Sequence, residues 1–109
     1  MMEFYAIKHK PTGHFLPKPV GYMGRGGSHV EPVDCSDNKA VPRLFENKRG
    51  AVAALTHWLK GKYVVERVGE HWSGDFYYES EEFHSVIQQS HRKRDEMEIV
   101  VLRLVEIPS

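Results

Sequence analysis

Asn47-Lys48-Arg49-Gly50-Ala51-Val52-Ala53-Ala54-Leu55-Thr56-His57-Trp58-Leu59-Lys60-Gly61 is the stretch on which the fold turns. Ala51, Val52, Leu55, Trp58 and Leu59 recur at three- and four-residue spacing. On a period of 3.6 they share one face, which predicts a helix over about 48–60. Asn47 suits the N-cap, because its amide oxygen can accept from a backbone N–H that has no partner in the first turn. Gly61 stands where a C-cap glycine belongs, and Lys60 sets a positive charge against the negative end of the helix dipole. A helix with one apolar stripe needs a second apolar surface to bury it.

Strands on either side offer that surface. Upstream, Phe4-Tyr5-Ala6-Ile7-Lys8-His9-Lys10 alternates apolar with polar side chains, the period of a half-buried strand. Pro11-Thr12-Gly13 has turn chemistry, and His14-Phe15-Leu16 resumes the apolar pattern. Residues 3–16 therefore read as a hairpin, ended by Pro17 and Pro19. A short strand is expected at about 43–46, around Leu44 and Phe45, and another over 63–68, where Tyr63-Val64-Val65 opens a β-branched run. The strongest strand signal runs from Met97 to Ile107. Ile99, Val101 and Val105 face one way and Val100, Leu102 and Leu104 the other, which predicts a central or well-covered position. Phe83, Val86 and Ile87 have helical spacing, so a second short helix is expected near 80–91. His91-Arg92-Lys93-Arg94-Asp95-Glu96 reads as a solvated connector. The fold class is α+β: a small antiparallel or mixed sheet packed by one main helix, in a single domain over 1–109.

Composition narrows the class of function. Hydrophobic residues make up 40% of the chain, enough to offset conformational entropy by burial and so to exclude wholesale disorder. No apolar run approaches a membrane span, and Met1-Met2-Glu3-Phe4-Tyr5 lacks the basic start and apolar core of a signal peptide. The lone Cys35 excludes an internal disulfide and fits a reducing cytosol. Fifteen Lys/Arg balance fifteen Asp/Glu, so the whole molecule exerts no net pull on nucleic acid or membrane.

Residues 17–42 form a long Gly/Pro-rich loop. Connections in small domains usually take about 4–6 residues, and much longer ones tend to be functional. Gly21, Gly24, Gly26 and Gly27 suggest a phosphate loop, but no helix pattern follows to present its N-terminus. His29, Glu31, Asp34 and Cys35 are metal-ligand types without a ligand spacing. Glu31, Asp34, Asp75 and Glu79 show nothing that separates a catalytic carboxylate from a solvated one. No cofactor, metal site or catalytic residue is therefore expected. The loop instead offers Tyr22, Arg25, His29 and Glu31 as a binding set. Tyrosine and arginine are over-represented among interface hot spots, and glycine lets the backbone approach a partner closely.

Charge by segment supplies the alternative. Residues 43–67 carry six Lys/Arg against two acids, while residues 69–82 carry five acids and no Lys/Arg. Lys8, Lys10, Arg43, Lys48, Arg49, Lys60 and Lys62, with Phe15, Tyr22 and Trp58 as stacking groups, could form a nucleic-acid face. The acidic, aromatic stretch would instead suit a basic protein surface.

Two blocks in order, Tyr5-Ala6-Ile7-Lys8-His9-Lys10-Pro11-Thr12-Gly13 with Phe15-Leu16-Pro17, and Arg25-Gly26-Gly27-Ser28-His29-Val30-Glu31-Pro32, resemble small proteins of tailed bacteriophages and prophages. Pro42-Arg43-Leu44-Phe45, the helix with Trp58 and Gly61, and Met97-Glu98-Ile99-Val100 continue the resemblance over nearly the whole chain. It implies a phage accessory protein acting in a bacterial cytoplasm on a host or phage protein. It leaves the target open.

Overall fold

The computed structural model describes residues 2–19, 26–38, 40–68, 71–73, 76–78 and 81–108. Of these, residues 26, 38, 66–68, 71–73, 76–78 and 81–83 are described in backbone alone. The chain runs β1 (Met2–His9), α1 (Lys48–Lys60), β2 (Lys62–Val68), β3 (His71–Ser73), β4 (Phe76–Tyr78), β5 (Glu81–Ile87) and β6 (Met97–Leu104). Short 3₁₀ turns lie at Gly26–Ser28, Ser36–Asn38 and Arg94–Glu96. This is a small α+β fold whose strand pairs are all antiparallel.

β1 and β6 pair from Met2↔Leu104 to His9↔Met97. On its other side β1 is held by single bridges. Tyr5 N–H donates to Phe45 O and Phe45 N–H to Tyr5 O, both at 2.8 Å, and Leu16 N–H donates to Ile7 O at 3.0 Å. The expected hairpin over 3–16 thus has its turn, closed by Gly13 at φ 75. Its return limb, however, makes bridges rather than a strand, and the expected strand at 43–46 is one bridge at Phe45. Pro17 and Pro42, which cannot donate to a ladder, bound both segments.

The helix forms where its spacing places it. Gly50 N–H donates to Asn47 Oδ1 at 2.8 Å, and Gly61 closes the C-terminus at φ 125. Ala51, Leu55 and Trp58 are buried with Ile7, Leu16, Val30 and Met97, and Tyr5, Phe45, Ala54, Leu59 and Ile99 pack around them. Val52 departs from the expected stripe and is 38% exposed. It follows Ala51 by one residue, 100° round the helix, and the buried stripe is narrower than that.

Residues 81–87 are a strand rather than the helix expected near 80–91. Phe83, Val86 and Ile87 fit both periods over so short a stretch, and pairing with β2 decides it. The registers Lys62↔Ile87 to Val68↔Glu81 and His71↔Tyr78 to Ser73↔Phe76 are continuous, so β2–β5 form one long hairpin and not a strand of the β1 sheet. β2 alone, from residue 62 to 68, runs about 20 Å at ~3.3 Å per residue. The radius of gyration, 18.8 Å, compares with about 13 Å for a compact chain of this size. The hairpin stands out as an arm.

β6 also departs from expectation. It ends at Leu104 instead of Ile107, and among the described residues it pairs only with β1. Among those residues no helix is long and apolar enough to cross a membrane.

Candidate functional site

The connector after β5 contains a heavily bonded side chain. Arg92 was expected in solvent, yet its side chain is fully buried. Its Nη1 donates to Trp58 O at 2.9 Å, and its Nη2 to Ser28 O at 2.9 Å and Glu31 Oε1 at 2.8 Å. Nε reaches the same Glu31 oxygen at 3.2 Å. The guanidinium lies 4.4 Å from the Trp58 ring centroid, a cation–π contact in a desolvated setting. Trp58 Nε1 in turn donates to Val30 O at 2.7 Å. Helix, loop and connector thus meet at one planar fork of donors, a geometry lysine cannot supply.

Glu31 faces outward from this knot. Burial raises its pKa, but hydrogen bonds from Arg92 and His91, with their charges, outweigh burial and hold the carboxyl below its ordinary value. His91 Nε2 lies 2.9 Å from Glu31 Oε2. An ionised carboxylate only accepts, so Nε2 carries the proton. Across a cleft of about 440 Å³ stands a second imidazole–carboxylate pair. His9 Nε2 is 3.7 Å from Glu96 Oε2, and His9 Nδ1 is 2.7 Å from Thr12 Oγ1. Thr12 Oγ1 also accepts from His14 N–H at 3.2 Å, so the turn after β1 holds the His9 ring in place. His14, Pro32, Trp58, Lys93 and Met97 complete the lining. The cleft combines an apolar floor with donors and acceptors of both charge signs, which suits recognition of polar side chains.

The expected binding set divides. Tyr22 and Arg25 lie outside the described residues. Glu31 lines the cleft. His29 lies away from it: its Nε2 donates to Tyr63 O at 2.8 Å, and Tyr63 N–H donates to Ser28 Oγ at 3.1 Å, which ties the loop to the root of the arm. Tyr63 O–H hydrogen-bonds His84 Nδ1 across the β2–β5 ladder.

The basic set is dispersed. Lys8 lies 5.9 Å over the Phe15 ring and opposite Glu98, and Arg43 stacks 4.6 Å from the Phe45 ring. Lys48 and Arg49 open α1 and Lys60 closes it, about 18 Å away along the axis. Lys62 begins β2, and Lys10 is exposed in the turn after β1. Trp58, expected as a stacking group, is buried and engaged with Val30 and cannot meet a base.

Asp34 accepts from Ser36 N–H at 2.9 Å, and hydrogen bonds from Ser36 lower its pKa. Burial pushes the Cys35 thiol up. Among the described residues, no group of three or more His, Cys, Asp or Glu side chains is placed to hold a metal ion. Comparison with known proteins returns no matching family model, no matching curated protein and no matching solved structure.

Proposed function

We propose that the chain is a phage-encoded, non-enzymatic accessory protein that binds a host or phage protein in the bacterial cytoplasm and modulates it. One observation carries this reading. The cleft between the turn after β1, the loop at Glu31–Pro32 and the His91–Met97 segment presents two imidazole–carboxylate pairs and Lys93 on a rigidly bonded base. Such a surface offers a protein partner donors and acceptors in fixed positions, the preorganisation that converts contact area into affinity. Two carboxylates against one lysine disfavour a phosphate backbone there. The sequence over 62–87 carries six acids against two Lys/Arg, which favours a basic partner.

The test is capture from bacterial lysate on immobilised protein, with and without nuclease, beside a His14→Ala/Lys93→Glu variant. The reading expects a partner that is retained after nuclease and lost in the variant. The variant's stability should stay within about 0.5 kcal/mol of the parent, as at other surface positions. Capture that needs nucleic acid, with affinity falling steeply as salt rises, would replace this reading with the nucleic-acid one.

A further inference from the structure

β6 has the sequence of a covered strand and the surroundings of an edge. Met97-Glu98-Ile99-Val100-Val101-Leu102-Arg103-Leu104 is apolar on both faces, yet Val101 is 50% and Leu104 57% exposed. The hydrogen bonds of β1 fix which backbone groups of β6 are free. Tyr5, Ile7 and His9 direct their N–H and C=O groups away from β6, to Phe45, Leu16 and the 13–14 turn. In an antiparallel ladder these directions alternate along each strand. Phe4, Ala6 and Lys8 therefore bond Leu102, Val100 and Glu98, their register partners. Ile99, Val101 and Arg103 point their N–H and C=O groups outward, and among the described residues these groups have no backbone partner. The edge has no proline, bulge or lysine, and its charges are Glu98 and Arg103, the latter paired with Glu3.

The geometry points to a second copy of this chain as the occupant, with β6 pairing antiparallel to β6 of that copy about a two-fold axis through Val100. The symmetry sets residue i opposite residue 200 minus i, so outward-facing residues meet outward-facing ones as the ladder requires. Ile99 then faces the second copy's Val101, Val100 faces its own counterpart, and Glu98 faces Leu102 of the second copy. No like charges oppose each other. Met97 faces Arg103 of the second copy, and the ladder ends there, because residues 94–96 form a 3₁₀ turn and β6 stops at Leu104. Pairing of this kind uses the same edge on both copies, so it closes at two. It yields a four-stranded sheet, β1-β6-β6-β1, with both helices on one face.

Three readouts decide it. At about 100 µM, light scattering after gel filtration should give twice the chain mass. Amide exchange at Ile99, Val101 and Arg103 should slow at least about tenfold between dilute and concentrated protein, while Val100 and Leu102 stay protected throughout. Val101→Lys should return the mass to one chain with unchanged circular dichroism, and Val101→Thr should leave the dimer intact. If Val101→Lys fails to fold, Val100→Cys in a Cys35→Ser background serves instead: the two thiols, opposed across the axis, should cross-link the dimer under mild oxidation, and failure to cross-link overturns the proposal. A single-chain mass at 100 µM, open-ended growth, or fast exchange at the three outward amides in concentrated protein each overturns the proposal.

Discussion

Arg92→Ala should be among the most damaging single substitutions in the body, and its cost can be apportioned in advance. The side chain is fully buried and donates to Trp58 O and Ser28 O at 2.9 Å each, and more weakly to Val30 O at 3.5 Å. Truncation removes a 2.9 Å donor from Trp58 O and from Ser28 O, leaving Trp58 O with the longer Gly61 N–H bond at 3.2 Å, at about 0.5–3 kcal/mol apiece. It also removes the stacking on Trp58 and the ion pair to Glu31. The ion pair matters least, because Glu31 is 38% exposed and water screens its charge, so its share is about 1 kcal/mol or below. The expected loss is about 3–5 kcal/mol, against a total of about 5–15 kcal/mol for a domain. Urea denaturation at neutral pH, followed by circular dichroism, measures it. The apportionment makes a sharper claim: Arg92→Ala/Glu31→Gln should lie within about 1 kcal/mol of Arg92→Ala alone. Arg92→Lys keeps the charge but loses the fork, and should cost about 1.5–3 kcal/mol. If Arg92→Ala costs less than about 1 kcal/mol, or Glu31→Gln costs as much as Arg92→Ala, the reasoning fails.

Three further outcomes follow from single residues. Glu31 titrates below its ordinary 4.5 in the folded chain, so its contribution is complete above that pH and is lost as pH falls through the lowered native value. The melting temperature of the parent minus that of Glu31→Gln should therefore hold steady from neutrality to about pH 4.5 and shrink as pH falls further. Gly61→Ala should cost about 2 kcal/mol or more in urea, since φ 125 with ψ −169 is glycine territory and a Cβ there would collide with the Ile87 carbonyl. Leu55→Ala should cost about 2–5 kcal/mol by the same measurement, because Leu55 is 7% exposed in the central cluster.

How far the sequence discloses this molecule depends on the range over which each signal acts. The helix was readable because its evidence is local: spacing at three and four residues, Asn47 before it and Gly61 after it. The identity of β1 and β6 as strands was equally readable. Their neighbours were not, since alternation states which face is apolar and not which strand lies alongside. The stretch around Phe83 and Val86 satisfied helical spacing over a window too short to exclude a strand. Only β2, some twenty residues away, resolves it. Glu31 was legible as a polar residue in a suspicious loop, but its partners came from 60 residues downstream.

Arg92 shows why the rest stays hidden. Nothing local separates it from Arg94 two residues on, which begins a 3₁₀ turn at the surface, yet Arg92 completes the end of α1. The last carbonyls of a helix have no intrahelical donor. Trp58 O receives one bond from Gly61 N–H at 3.2 Å and a shorter one from Arg92 at 2.9 Å. The cation that the helix dipole favours at this end is therefore buried Arg92 as well as exposed Lys60. Because the same guanidinium also holds Ser28 O and Glu31, the end of the helix, the entry to the arm through Ser28 and Tyr63, and the carboxylate at the cleft depend on one side chain. Loss of Arg92 should therefore disturb the cleft and the root of the arm together. Changes confined to His14 or Lys93 should alter the cleft alone.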